Sequence, residues 1–270
     1  MRSKPTFLLA VILVVFLAVE ALADTHFHAL PATASQSPHP RTVLVELFTS
    51  EGCSSCPPAD AFLKQLDDTG RVNDVDVIAI EEHVDYWDRL GWRDPFSSLD
   101  WTERQAQYTR VFHHDGPSTP QFVVDGRRDF VNMSSREALQ SIAEASTASA
   151  AELHLSPTGD SPRSAEFSIT IENAPPETHS AVLLLAVTER GLSSNVLRGE
   201  NQGRNLVHAP VLRALTRVRI PKATQSAVME TKAKIALNPS WKRENLRFVI
   251  FLQDQKSLHI VGAAACTLAH

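Results

Sequence analysis

Val43-Leu-Val-Glu-Leu-Phe-Thr-Ser-Glu-Gly-Cys-Ser-Ser-Cys-Pro-Pro-Ala-Asp60 is the stretch from which the fold is read. It opens as an apolar, β-branched strand, Val43 to Phe48, and turns at Gly52. Two cysteines follow in C-x-x-C spacing. A helix comes next, with Ala59, Phe62, Leu63 and Leu66 at i, i+3, i+4 and i+7 on one face. Strand, C-x-x-C and helix in this order is the context in which the spacing reads as a redox dithiol.

The chemistry follows from the helix start. First-turn N–H groups have no intrahelical acceptor and carry partial positive charge, so a thiolate placed there is favoured over a thiol. Pro57 and Pro58 support a start within a residue or two of Cys56, because early helical positions need no N–H donor. Ser54 and Ser55 are candidate caps. Cys53, at the exposed lip of the turn, is the expected nucleophile, and Cys56 the resolving partner. Glu51 opposes a second anion nearby.

This stretch resembles the thioredoxin superfamily. More narrowly, Phe48 to Asp60 is similar to the signature of an uncharacterised family of secreted bacterial thioredoxin-fold proteins, a domain of unknown function. Val84-Asp-Tyr-Trp-Asp88, Thr119-Pro-Gln121 and Gly199-Glu-Asn-Gln-Gly-Arg204 also match it. The resemblance spans nearly all of the mature chain and implies a thioredoxin-like domain and an exported protein, but no established reaction. It implies a cis bond at Thr119–Pro120, with Pro120 facing the dithiol. A proline there withholds an N–H and leaves an extended edge for a substrate chain. It further implies that Glu46 is a buried acid relaying a proton to Cys56. A glutamate on the solvated side of the strand is the alternative.

Composition sets the outer bounds. With 43% apolar and 21% charged residues, the chain has material for a substantial core. Its formal charge is -5, and loss of Arg2, Lys4 and Glu20 with a leader makes it one unit more negative. That balance argues against a nucleic-acid partner or a polybasic membrane surface. Residues 1–23 read as a secretory signal peptide, with Arg2 and Lys4, an apolar run, and Ala21-Leu-Ala23 before the cleavage point. Residues 24–41 read as a flexible lead-in, 42–149 as the thioredoxin-like α/β domain, and 150–270 as a mainly antiparallel, sandwich-like β domain. Export implies a secreted or periplasmic protein with no stable membrane span after cleavage, in a compartment where disulfides persist.

Within the first domain, Val75 to Ile80 is a second strand, joined to the first through the helix. Two parallel strands of such a unit share a carboxyl edge, where ligands bind. The C-x-x-C leaves one strand there and Glu81-Glu-His-Val-Asp-Tyr-Trp-Asp88 leaves the other, so His83, Asp85 and Trp87 are candidates for the cleft. Phe122 to Val124 and Arg128 to Val131 flank an Asp125-Gly126 hairpin turn. Ser134-Ser-Arg-Glu137 marks a capped helix. In the second domain, Phe167, Ile169 and Ile171 alternate with polar residues, and 181–187 and 247–252 are continuous apolar runs. The polar loop before His208 makes Glu200, Arg204 and His208 candidates for a shared cleft. Cys266 reads as a buried, inert thiol.

The function expected from these residues is thiol-disulfide exchange on a protein or small-thiol disulfide, without cofactor or metal. Two alternatives stay open. One is copper binding by the cysteines with His83, His113 or His114 as third ligand. The other is a non-enzymatic binding module with a structural disulfide.

Overall fold

In the computed structural model, which describes residues 41–131, 134–175, 180–220 and 228–268, β1 (Val43–Thr49) and β3 (Val75–His83) run parallel. Their register carries from Val43 opposite Val77 to Thr49 opposite His83. The connection is α1 (Pro57–Thr69), closed by a left-handed Gly70, and the short β2 (Arg71–Val72). The carboxyl ends of β1 and β3 therefore meet at one edge, as the sequence implies. The expected leader and lead-in lie outside the described residues, Arg41 excepted.

β4 (Gln121–Val124) pairs antiparallel with β1, and β5 (Arg128–Val131) with β4. The turn between them has positive φ at Asp125 and Gly126. Glycine is required there, because a Cβ on Gly126 would stand 1.9 Å from the Leu258 carbonyl oxygen. α2 (Leu99–Val111) is capped by Ser98, and α3 (Ser135–Ser146) by the Ser134–Glu137 capping box.

The second half supplies β6 (Glu152–Ser161), β7 (Ser164–Glu172), β8 (Ala181–Glu189), β9 (Ser193–Asn195), β10 (Asn205–Val207), β11 (Val211–Val218), β12 (Val228–Ala236), β13 (Leu246–Asp254) and β14 (Ile260–Cys266). They do not stand apart from the first half. The main sheet has the order β14-β13-β8-β11-β3-β1-β4-β5, with β2 also on β3, and β11 meets β3 in parallel at Val211 opposite Glu81. The division expected at 149/150 thus falls between two stretches that share one sheet, and the described residues cluster as one compact unit. The physical reason is an edge: without β11, the β3 backbone beside Glu81 would lack a partner on that side.

The architecture is mainly β, with mixed and antiparallel sheets. Both faces of β1 are covered. Val43, Val45 and Leu47 pack with Leu63 and Leu66 of α1 and Ile142 of α3, while Leu44 and Phe48 face the side of Trp101 and Tyr108 on α2. A three-stranded sheet, β12-β7-β6, lays Phe167, Ile169 and Ile171 against Leu183, Leu185, Phe248 and Ile250 of the main sheet. Each such large apolar side chain contributes about 1.5–3 kcal/mol when fully buried. Among the described residues, no helix is long and apolar enough to cross a membrane.

Candidate functional site

Cys53 and Cys56 form a disulfide at the entry to α1, with Cα atoms 5.5 Å apart. Cys56 is itself the N-cap residue and makes no side-chain cap bond, so neither Ser54 nor Ser55 caps the helix. The Cys53 sulfur contacts the Ser55 hydroxyl at 3.4 Å and the Thr119 carbonyl oxygen at 3.8 Å. Thr119–Pro120 is cis and Pro120 is buried. Trp87 donates its indole N–H to the Thr119 hydroxyl at 2.8 Å, fixing the residue that faces the sulfur. Beside this point a groove of about 180 Å³ is lined by Ser55, Pro58, Phe62, Pro120 and Phe130.

One expectation is corrected here. Both cysteines are fully buried, although Cys53 was expected at an exposed lip. The cover includes the loop before β10. Asn201, fully buried, donates from Nδ2 to the carbonyls of Glu51 and Cys53, both at 2.9 Å, and Glu200 accepts the Ser54 N–H at 3.1 Å. Of the loop residues expected at the cleft, Glu200 and His208 are brought to it. The Arg204 side chain is exposed, and its backbone helps to close the loop through Asn201 and Val196.

Behind the disulfide lies a buried polar network. His83 meets Asp94 through Nδ1 at 2.7 Å and Glu81 through Nε2 at 3.0 Å. His208 meets Glu81 through Nδ1 and Glu51 through Nε2, each at 3.0 Å. Trp92 donates to the second Glu51 oxygen at 2.7 Å, and Asp94 also accepts the Glu51 N–H. The Glu51 charge is thus paired with His208. Burial by itself lowers the pKa of both imidazoles, but their carboxylate partners outweigh it: His83 is held well above its ordinary value and His208 at about 9. Burial likewise opposes ionisation of Glu81, yet the two histidines hold its carboxyl below the usual range.

Asp60 stands apart. It is buried one helical turn after Cys56 and accepts the Thr49 hydroxyl at 2.6 Å. Burial, reinforced by the Glu81 charge, pushes its carboxyl up to about 8 against the pull of that hydrogen bond.

The sequence profile of the family described as Protein of unknown function (DUF1223) matches residues 44–253, which takes in the disulfide, the cis proline, the network and the Asn201 loop. The chain belongs to that family. No curated protein matches it significantly. A crystal structure of a protein from Agrobacterium tumefaciens superposes with a TM-score of 0.60 at 24% identity, covering 84% of this chain and 97% of that one. HBP35 of Porphyromonas gingivalis superposes with a TM-score of 0.59 at 15% identity, covering 85% of this chain and 76% of that one. These likenesses concern the fold.

In this DUF1223 chain, Glu46 does not reach the dithiol side. It occupies the even-numbered face of β1 with Leu44 and Phe48, opposite the face that α1 covers. There Arg104 of α2 grips it through Nε at 2.8 Å and through Nη2, Tyr108 donates to it at 2.5 Å, and Gln253 completes the cluster. It is neither a relay to Cys56 nor a solvated surface acid. Burial raises the neighbouring Glu82 carboxyl well above its ordinary pKa, with Arg104 opposing and Glu46 adding to the shift. Asp85 is held by Thr102 on α2 at 2.6 Å and anchors its loop. His114 contacts Asp129 at 2.5 Å. Cys266 is half-buried on β14, and burial pushes its thiol up to about 11.

Asp60, Glu81, Asp94 and Asn201 belong to the site without having been expected there. Asp60 had a signal: a helix places i and i+4 on one face, so it follows Cys56 toward the same interior. Asn201 sits inside the 199–204 segment, between the two loop residues that were named.

Proposed function

We propose that this protein is an exported thiol-disulfide oxidoreductase built on a thioredoxin-like arrangement, with Cys53–Cys56 as its redox couple. The observation that carries this reading is the setting of the couple: it lies at the entry to α1, with the Cys53 sulfur against the Thr119 carbonyl and an apolar groove alongside. Asp60 supports it: its carboxyl is buried one helical turn after Cys56 and pushed up to about 8, and perturbed acids near a reactive group are a mark of proton transfer. In the reduced protein, the Cys53 thiolate attacks one sulfur of a substrate disulfide. The substrate's S–S bond breaks, a mixed disulfide forms, and the departing substrate thiolate takes up a proton. The Cys56 proton passes to Asp60 in its ionised form, the minority species at neutral pH, and Cys56 attacks the Cys53 sulfur, releasing the second substrate sulfur, which takes up a proton. The protein ends oxidised by two electrons, which the substrate disulfide has gained. Run backwards, the same steps oxidise a dithiol. Pro120 and the groove of Phe62 and Phe130 suit an extended apolar segment next to the substrate cysteine.

Full burial of both sulfurs favours a second reading, a permanent structural disulfide. Trapping separates the two. A Cys56→Ser variant offered a peptide disulfide is expected to accumulate a mixed disulfide through Cys53. Absence of any adduct, with reduced Cys53 inert to alkylation, refutes the oxidoreductase.

A further inference from the structure

Asp94, His83, Glu81, His208 and Glu51 form an unbroken alternation of carboxylate and imidazole, all buried. Its centre is a single atom. His83 Nε2 and His208 Nδ1 both approach Glu81 Oε1 at 3.0 Å, and the two rings stand edge to face with centroids 4.9 Å apart. The other Glu81 oxygen is held by the Ala209 N–H. Each ring turns its other nitrogen to a separate carboxylate, Asp94 for His83 and Glu51 for His208, so one nitrogen of each ring is left facing the shared Glu81 oxygen.

We propose that Glu81, His83 and His208 are the ligands of a divalent transition-metal ion of the zinc class. Their ligand atoms all lie within 4.8 Å of one another. Zinc bonds to imidazole nitrogen and carboxylate oxygen are about 2.0–2.1 Å, so tetrahedral neighbours stand about 3.4 Å apart and the 3.0 Å contacts need open only slightly.

The outer shell supports the assignment. A ligating histidine characteristically donates its remaining N–H to a carboxylate, which fixes tautomer and ring orientation. Here His83 Nδ1 faces Asp94 and His208 Nε2 faces Glu51. Both outer carboxylates are themselves anchored, Asp94 by the backbone N–H groups of Glu51 and Phe96, and Glu51 by Trp92. Three protein ligands without sulfur leave one position of a tetrahedron for water or a further donor. The site is distinct from any that uses the cysteines, and it stands whether or not the dithiol is catalytic.

The test uses the full chain. Zinc content by mass spectrometry after chelator-free purification, and Zn²⁺ titration against a competing chelator, are expected to show about one tightly held ion per chain. A Cys53→Ser/Cys56→Ser double variant keeps it. His208→Gln loses it, and Asp94→Asn weakens it by about 10–100-fold. Because ligand variants can misfold, zinc-edge X-ray absorption on the unmodified protein gives an independent reading, with only nitrogen and oxygen neighbours expected. Failure of the folded protein to take up Zn²⁺, sulfur in the coordination shell, or loss of the ion in the double serine variant overturns the proposal.

Discussion

Asp60→Asn should make the oxidised protein more stable and its dithiol slower. Asparagine keeps the shape and an oxygen for the Thr49 hydroxyl but never ionises. In the wild type, the folded-state pKa is raised from 3.8 to about 8. Between those values the folded chain binds a proton that the unfolded chain has released, so stability falls as pH rises, by about 1.4 kcal/mol per unit for this group. Below pH 4 the cost vanishes, and above pH 8 it levels off. At pH 7 it amounts to about 4 kcal/mol. Urea denaturation of wild type and Asp60→Asn at pH 4, 5, 6, 7 and 8 should give curves that coincide near pH 4 and diverge steadily above it. Loss of a proton acceptor should also slow closure of the mixed disulfide by about 10²-fold or more. Parallel stabilities across the whole range would show that Asp60 ionises normally in the fold, and the case for proton transfer would lose its basis.

Other perturbations probe the surrounding structure. Asn201→Ala leaves two buried carbonyls without their donor and should cost about 2–5 kcal/mol in denaturation experiments. Glu46→Leu leaves Arg104 buried without its main counter-charge and should cost about 3–5 kcal/mol. Because Glu46 lies on the face away from α1, the same variant should leave the Cys53–Cys56 reduction potential unchanged. Gly126→Ala forces a Cβ onto the Leu258 carbonyl at positive φ and should lower stability by about 2–4 kcal/mol, visible as a depressed Tm.

Local pattern made much of the first half legible. The helix after the C-x-x-C, the hairpin at Asp125-Gly126 and the Ser134–Glu137 box all rest on interactions within a few residues, and each forms as the sequence implies. β1 was legible as a strand but not in its orientation. It is buried on both faces, so alternation carries no signal, and only the packing of α1 and α2 reveals which side Glu46 takes. β6 was hidden by Pro157 and Gly159, where its register shifts. β11 was hidden by the mixed character of 211–218, and with it the continuity of the main sheet. The network behind the dithiol was beyond local pattern altogether. His208 reaches Glu51 and Glu81 across 157 and 127 positions of chain, and neither acid differs in sequence from a solvated one.

The central claim is that Cys53–Cys56 cycles. Its most direct test is the reduction potential of the full chain, equilibrated in glutathione or dithiothreitol buffers and read by alkylation of free thiols. A working couple predicts a reversible value between about -120 and -270 mV, with Cys53 alkylated once reduced. A potential below about -300 mV, with Cys53 inert after reduction, would make the disulfide structural and contradict the account.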